Sequence, residues 1–110
     1  SGKYTSRVVV ATGNISRNFA CNGLYPFVMG LKNDGFWDAL IEQIVVANGN
    51  EVILIPKVGN FRIVVGELEN VEKKMENLRL FLQEGIALKG WNVYKEINLK
   101  FENQIVCIKR

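Results

Sequence analysis

With 110 residues the chain can bury a core without disulfides or a metal, and 48% hydrophobic against 23% charged residues describe a globular domain, not a disordered segment. Its formal charge of +3 comes from Lys and Arg scattered among Glu and Asn, with no aromatics interleaved, so a nucleic-acid surface is not expected. The absence of histidine removes the commonest general base and metal ligand, and two distant cysteines cannot make a zinc site alone.

No apolar run approaches the roughly 20 residues that span a bilayer. Lys3 and Arg7 precede only the short run Val8-Val9-Val10-Ala11, which is not a signal-peptide pattern. Ser1-Gly2 fits a scar of tag removal, so a longer parent chain is expected. Cys21 and Cys107 either pair, closing a loop worth roughly 4–5 kcal/mol on an entropy model, or serve as two small buried apolar side chains.

In chain order, "SRVVVATG" reads as a β-branched strand ended by Thr12-Gly13. "NISRNFACNGLYPFVMGLKNDG" is rich in Asn and Gly without sustained period, and a long loop with a short turn or strand is expected there. In "FWDALIEQIVVANGN" the spacing of Phe36, Leu40, Ile41, Ile44 and Val45 predicts an amphipathic helix, capped by Asp34 and closed by Asn48-Gly49. "EVILIPKVGNFRIVVGE" predicts an antiparallel hairpin turning at Lys57-Val58-Gly59-Asn60, with Pro56 at its edge or end.

A second helix is predicted over residues 70–87, with Val71, Met75, Leu78 and Leu82 on its core face. The alternation of "VYKEINLKF" puts Val93, Ile97, Leu99 and Phe101 on one face of a strand. A two-residue turn at Glu102-Asn103 then sets Ile97 opposite Ile108 and Leu99 opposite Val106. On that register Val106 and Ile108 join the core, while Ile105 and Cys107 face away from it. The whole chain, residues 1–110, reads as one α+β domain: a largely antiparallel sheet, two main helices on one face, and a C-terminal β-hairpin.

Catalytic chemistry finds little footing. Both aspartates, Asp34 and Asp38, sit where a helix dipole explains them, and no glycine-rich phosphate loop follows a strand. Trp37, Trp91 and Tyr94 leave open an extracytoplasmic carbohydrate- or peptidoglycan-binding module, and a small hydrolase is a third class. The leading expectation is a domain that binds or positions another protein, with no cofactor, nucleic acid or small-molecule substrate.

At "IPKVGNFRIVVGELENVEKKMENLRLF" and "VYKEINLKFENQIVCIKR" the chain resembles the extracytoplasmic β-domain of the bacterial cell-division family FtsQ/DivIB. The strand pair, the glycine after it, the helix with its acidic entry, and Asn98-Leu99-Lys100-Phe101 in place of a "DLRY"-like motif carry the likeness. The resemblance implies a non-enzymatic divisome scaffold, anchored in the cytoplasmic membrane by a transmembrane segment that is followed by a POTRA domain and then by this one. It implies a location on the periplasmic, extracytoplasmic side of the inner membrane at the septum. FtsB/FtsL-like membrane proteins are the implied partners, adding a strand to the last strand of the sheet. Matching positions assign partner binding to Lys100, Phe101, Gln104, Ile105, Val106, Cys107, Ile108 and Lys109, and to Phe81 on the second helix. Phe101 lacks the hydroxyl of the tyrosine usual in the family, and Lys109-Arg110 replace a terminal aromatic.

Overall fold

A computed structural model describes residues 7–10, 15–86, 90, 92–101 and 104–110. Six strands form one sheet in sequence order: β1 (Arg7–Val10), β2 (Ile41–Ala47), β3 (Glu51–Pro56), β4 (Arg62–Gly66), β5 (Tyr94–Asn98) and β6 (Val106–Lys109). The β2–β3, β3–β4 and β5–β6 pairs are antiparallel, and β1–β2 and β4–β5 are parallel. A parallel pair needs a crossover, and helices supply both. The first comprises a wide π-type turn, Phe19–Leu24, then α1 (Tyr25–Lys32) and α2 (Gly35–Leu40); the second is α3 (Val71–Leu80) with a π-type extension, Phe81–Ile86. The α+β class, the largely antiparallel sheet and the presence of two main helices agree with the sequence reading, but of α1 and α3 only α3 lies where a main helix was expected.

Two elements differ from it. The expected loop before residue 34 is helical, because Leu24, Phe27 and Leu31 recur at three- and four-residue spacing and sink into the core despite the Asn and Gly around them. Ser16 Oγ accepts the Phe19 N–H at 3.0 Å and starts the segment, and Pro26 sits in the first turn of α1, where no N–H is needed. The expected helix over "FWDALIEQIVVA" breaks after Leu40 and continues as β2. The β-branched residues Ile41, Ile44, Val45 and Val46 fit a strand, and β2 gains neighbours on both sides, which a helix here would forfeit. Ile44 and Val46 alternate into the core, so the same apolar positions satisfied both periods.

The β3–β4 hairpin forms as expected around a turn with Gly59 at φ 74°, and Pro56 closes β3 opposite Ile41. Asp34 caps α2: its Oδ1 accepts the N–H groups of Phe36 at 3.0 Å and Trp37 at 3.4 Å. Its other oxygen accepts from Arg79 on α3, whose guanidinium lies 5.0 Å from the Phe36 ring centre and 5.5 Å from that of Trp37. The Arg79 hydrogen bond holds the Asp34 carboxyl below its ordinary value of 3.8. A carboxylate with a depressed folded value contributes stability that is complete above the unfolded value and is lost as pH falls through the folded one. Stability is therefore expected to drop as pH falls below about 4, and Asp34→Asn to be less stable at pH 7 with a shallower acid dependence, read by urea titrations across that range.

One row of side chains crosses the sheet on the helix-covered face: Ile44, Leu54, Ile63, Ile97 and Cys107, each opposite the next. Met75, Leu78 and Leu82 from the second crossover and Leu24, Phe27 and Leu31 from the first complete that core. The row on the other face reads Val45, Ile53, Val64, Asn98, Val106; none belongs to the cluster under the helices, though Val64 is itself buried.

The final hairpin corrects the expected register. Ile97 pairs with Cys107, Glu96 with Ile108 and Asn98 with Val106, one residue away from the expected pairing. Cys107 and Ile105 therefore pack half-buried against the core, and Ile108 is 38% exposed on the face opposite the helices. The period of two in a strand makes a one-residue slip exchange the faces completely. Phe101 still approaches Gln104, whose N–H donates to the Phe101 carbonyl at 3.1 Å, so the extra residue is absorbed between that turn and the ladder. The expected turn residues Glu102 and Asn103 lie outside the described residues. A second irregularity between Tyr94 and Glu96 turns Tyr94 into the core, against the simple alternation of the sequence.

Candidate functional site

Among the described residues β6 ends the sheet: it pairs with β5, and β1 lies at the opposite end. Two hydrogen bonds fix which backbone groups of β6 look outward. The Leu99 N–H donates to the Val64 carbonyl at 2.8 Å, so Leu99 and, by alternation, Ile97 turn their backbone toward β4. Glu96 and Asn98 then face β6 and engage their partners Ile108 and Val106, while the Arg110 N–H donates to the Val93 carbonyl at 3.2 Å. The N–H and C=O groups of Ile105 and Lys109 consequently point away from β5. An edge of this kind is a template for another strand.

Lys100 and Phe101 stand at the end of this edge that leads into the turn. The Lys100 N–H donates to Asn98 Oδ1 at 2.9 Å, a local turn that fixes where its side chain leaves the backbone. Its aliphatic stem then crosses Gly66, where an added Cβ would meet Lys100 Cγ at 2.6 Å and Cδ at 3.0 Å. Gly66 has φ 82°, a backbone region that favours glycine, so one residue both ends β4 and makes the bed for Lys100. The Lys100 ammonium reaches Glu51 at 3.4 Å, an exposed and hence weak pair that a partner's acid can replace. Beside it the Phe101 side chain is 52% exposed, a large apolar ring in water.

Glu96 sits on the face opposite the helices, next to this edge. Burial raises its carboxyl, but hydrogen bonds from Asn98 and Arg62 outweigh that and leave it below the ordinary value. The Arg62–Glu96 pair at 3.0 Å and the Asn98–Glu96 contact at 3.2 Å lock the strand that carries β6.

Among the residues expected to bind a partner, Lys100, Phe101 and residues 104–109 lie along one edge and its turn. Phe81 does not join Lys100 and Phe101. Its ring packs tilted on Tyr94 at 6.3 Å, and Tyr94 is opposite Lys109, at the other end of the hairpin. Only a segment running the length of β6 would reach both. Gly66 and Asn98 stood among the residues that carry the family likeness but were given no role there, and Glu51 was not singled out from the sequence.

Other chemistry is not assembled here. Trp37 and Tyr94 are buried, at 3% and 8% exposure, so neither offers a face to a sugar, and Trp91 lies outside the described residues. Among the described residues no group of three or more Cys, Asp or Glu side chains converges as a metal site would require. No disulfide joins Cys21, exposed on the first crossover, to Cys107 on β6. No described helix is long and apolar enough to cross a membrane.

The family model described as FtsQ/DivIB, C-terminal related, matches residues 1–108. The chain belongs to this family. No curated protein matches it. Membership makes it a domain of a cell-division family, one of non-enzymatic scaffolds that act with other divisome proteins in association with the membrane at the division site.

Proposed function

We propose that this FtsQ/DivIB-related domain recruits FtsB/FtsL-like membrane proteins on the periplasmic, extracytoplasmic face of the cytoplasmic membrane at the septum, by accepting a strand of the partner along β6. The observation that carries the reading is the backbone of Ile105 and Lys109, which points away from β5 on the strand that ends the described sheet. Lys100 and Phe101 select the partner at one end, and Val106 and Ile108 offer it apolar contacts on the face opposite the helices.

The register decides which substitution tests this. Val106→Pro would remove an N–H that holds β6 to β5 and so damage the domain itself. Lys109→Pro removes an N–H that faces outward, and Ile108 before it is already extended, as a residue preceding proline must be. Loss of one backbone bond plus the ring's intrusion on the incoming strand is expected to weaken binding about tenfold or more. Phe101→Ala is expected to cost a similar factor by removing the exposed ring. Binding of the purified extracytoplasmic segment of the FtsB-like protein from the same organism, measured by interferometry on variants with wild-type melting curves, reads both. Unchanged affinity in the two variants would remove β6 as the docking edge.

A further inference from the structure

The end of the sheet opposite the Lys100-Phe101 turn gathers positive charge. The pairs Arg62 with Glu96 and Tyr94 with Lys109 bring the start of β4, the start of β5 and the end of β6 side by side. The β3–β4 turn joins them, because the Arg110 guanidinium donates to the carbonyl of Asn60 in that turn and, at 3.1 Å, to that of Asn92 ahead of β5. Lys57, Arg62, Lys95, Lys109 and Arg110 are all exposed there.

Of these charges only that of Arg62 is answered, by Glu96. Arg110 engages neutral carbonyls, and Lys57, Lys95 and Lys109 have no ion-pair partner among the described residues. An exposed acid, Glu42, stands beyond Lys57, next to the Ile41 that pairs with Pro56. Protection of an edge explains one cation at most: a lysine discourages unwanted pairing on a terminal strand, which suits Lys109. Lys57 follows β3 and Lys95 lies in β5, and neither strand ends the described sheet. Directly beside Lys57, the β3–β4 turn presents Val58, an apolar side chain 45% exposed to water.

We infer that this end of the sheet docks on an anionic lipid bilayer. Val58, at the tip of the turn, enters the headgroup layer, and Lys57, Lys95, Lys109 and Arg110 lie against lipid phosphates. The two contributions reinforce each other, since burial of an apolar side chain at the interface adds to the attraction of clustered cations for an anionic surface. A projecting turn suits a soft headgroup layer, whereas an acidic protein segment would be held by charge alone and would make no use of Val58. Membership of a family that acts in association with the membrane at the division site places the domain near such a surface. The inference does not depend on strand addition at β6.

Co-sedimentation of this chain with vesicles tests it, using phosphatidylglycerol mixed equally with phosphatidylcholine, and phosphatidylcholine alone. Saturable binding to the anionic vesicles is expected, at least about tenfold tighter than to the neutral ones. Lys57→Gln/Lys95→Gln is expected to weaken it about tenfold or more, and Val58→Asp at least about fivefold. Arg17→Gln/Lys73→Gln, which removes two exposed cations from outside this end of the sheet, is expected to change it less than about twofold. Melting curves by circular dichroism check that each variant is folded, and the lysine pair serves if Val58→Asp is not. Equal loss in the two double variants would mean attraction by overall charge and overturn the inference, as would equal binding to both kinds of vesicle. Full binding by Val58→Asp, together with polyglutamate displacing the chain from vesicles, would mark a site for acidic polypeptide and overturn it too.

Discussion

Ile97→Ala is expected to lower the free energy of unfolding by about 2–5 kcal/mol, while Ile108→Ala lowers it by less than about 1 kcal/mol. Ile97 is fully buried, between Ile63 on β4 and Cys107 on β6 and beneath the helices, so truncation removes apolar burial and leaves a cavity that neighbours on three strands cannot easily close. Ile108 is already 38% exposed on the face away from the helices, opposite Glu96. Urea midpoints of the two variants separate the observed register from the alternative in which Ile97 and Ile108 share the core. In that alternative the two losses would be alike. The same result bears on function, because the register decides which backbone groups of β6 point away from β5.

Gly66→Ala is expected to cost about 1–3 kcal/mol, and to weaken partner binding in protein that remains folded. Two causes act together. The backbone at φ 82° is strained for a residue with a Cβ, and that Cβ would lie 2.6 Å from Lys100 Cγ. The flexible end of Lys100 yields more readily than the β4 backbone, so the side chain leaves its bed and its ammonium leaves Glu51. Lys100→Ala removes the Cγ and Cδ that clash, and the cost of Gly66→Ala in that background is expected to fall to the backbone part alone. A double-mutant cycle measured by urea unfolding reads the difference. Additive costs would show that Lys100 does not rest on Gly66.

Much of this architecture was legible in the residues. The β3–β4 hairpin announced itself through two apolar runs around Gly59, and α3 through the stripe Val71, Met75, Leu78, Leu82, because in both places local turn chemistry and side-chain period agree with the final packing. Asp34 was readable as a cap for the same reason: the N–H groups it satisfies are two and three residues away. The motif at Lys100-Phe101 stood out in the sequence, and both residues are exposed in the structure.

Where the sequence reading failed, the deciding neighbours were far along the chain. The stretch "ALIEQIVVA" satisfies a helical and an extended period at once; β1 on one side and β3 on the other select the strand, through backbone bonds that no local pattern contains. α1 was hidden by its Asn and Gly neighbours, and the core it helps to close recovers it. The register of β5 and β6 turned on one residue absorbed beside the turn, a change too small to alter the alternation in the sequence yet sufficient to move Cys107 inward and Ile108 outward. The sequence by itself determined the class of the fold, the family it resembles and the stretch that ends on an edge. Tertiary structure alone decided which face of that edge is core, which of its N–H groups point away from β5, and that Gly66 and Asn98 place Lys100, because each depends on atoms brought together from strands distant in sequence.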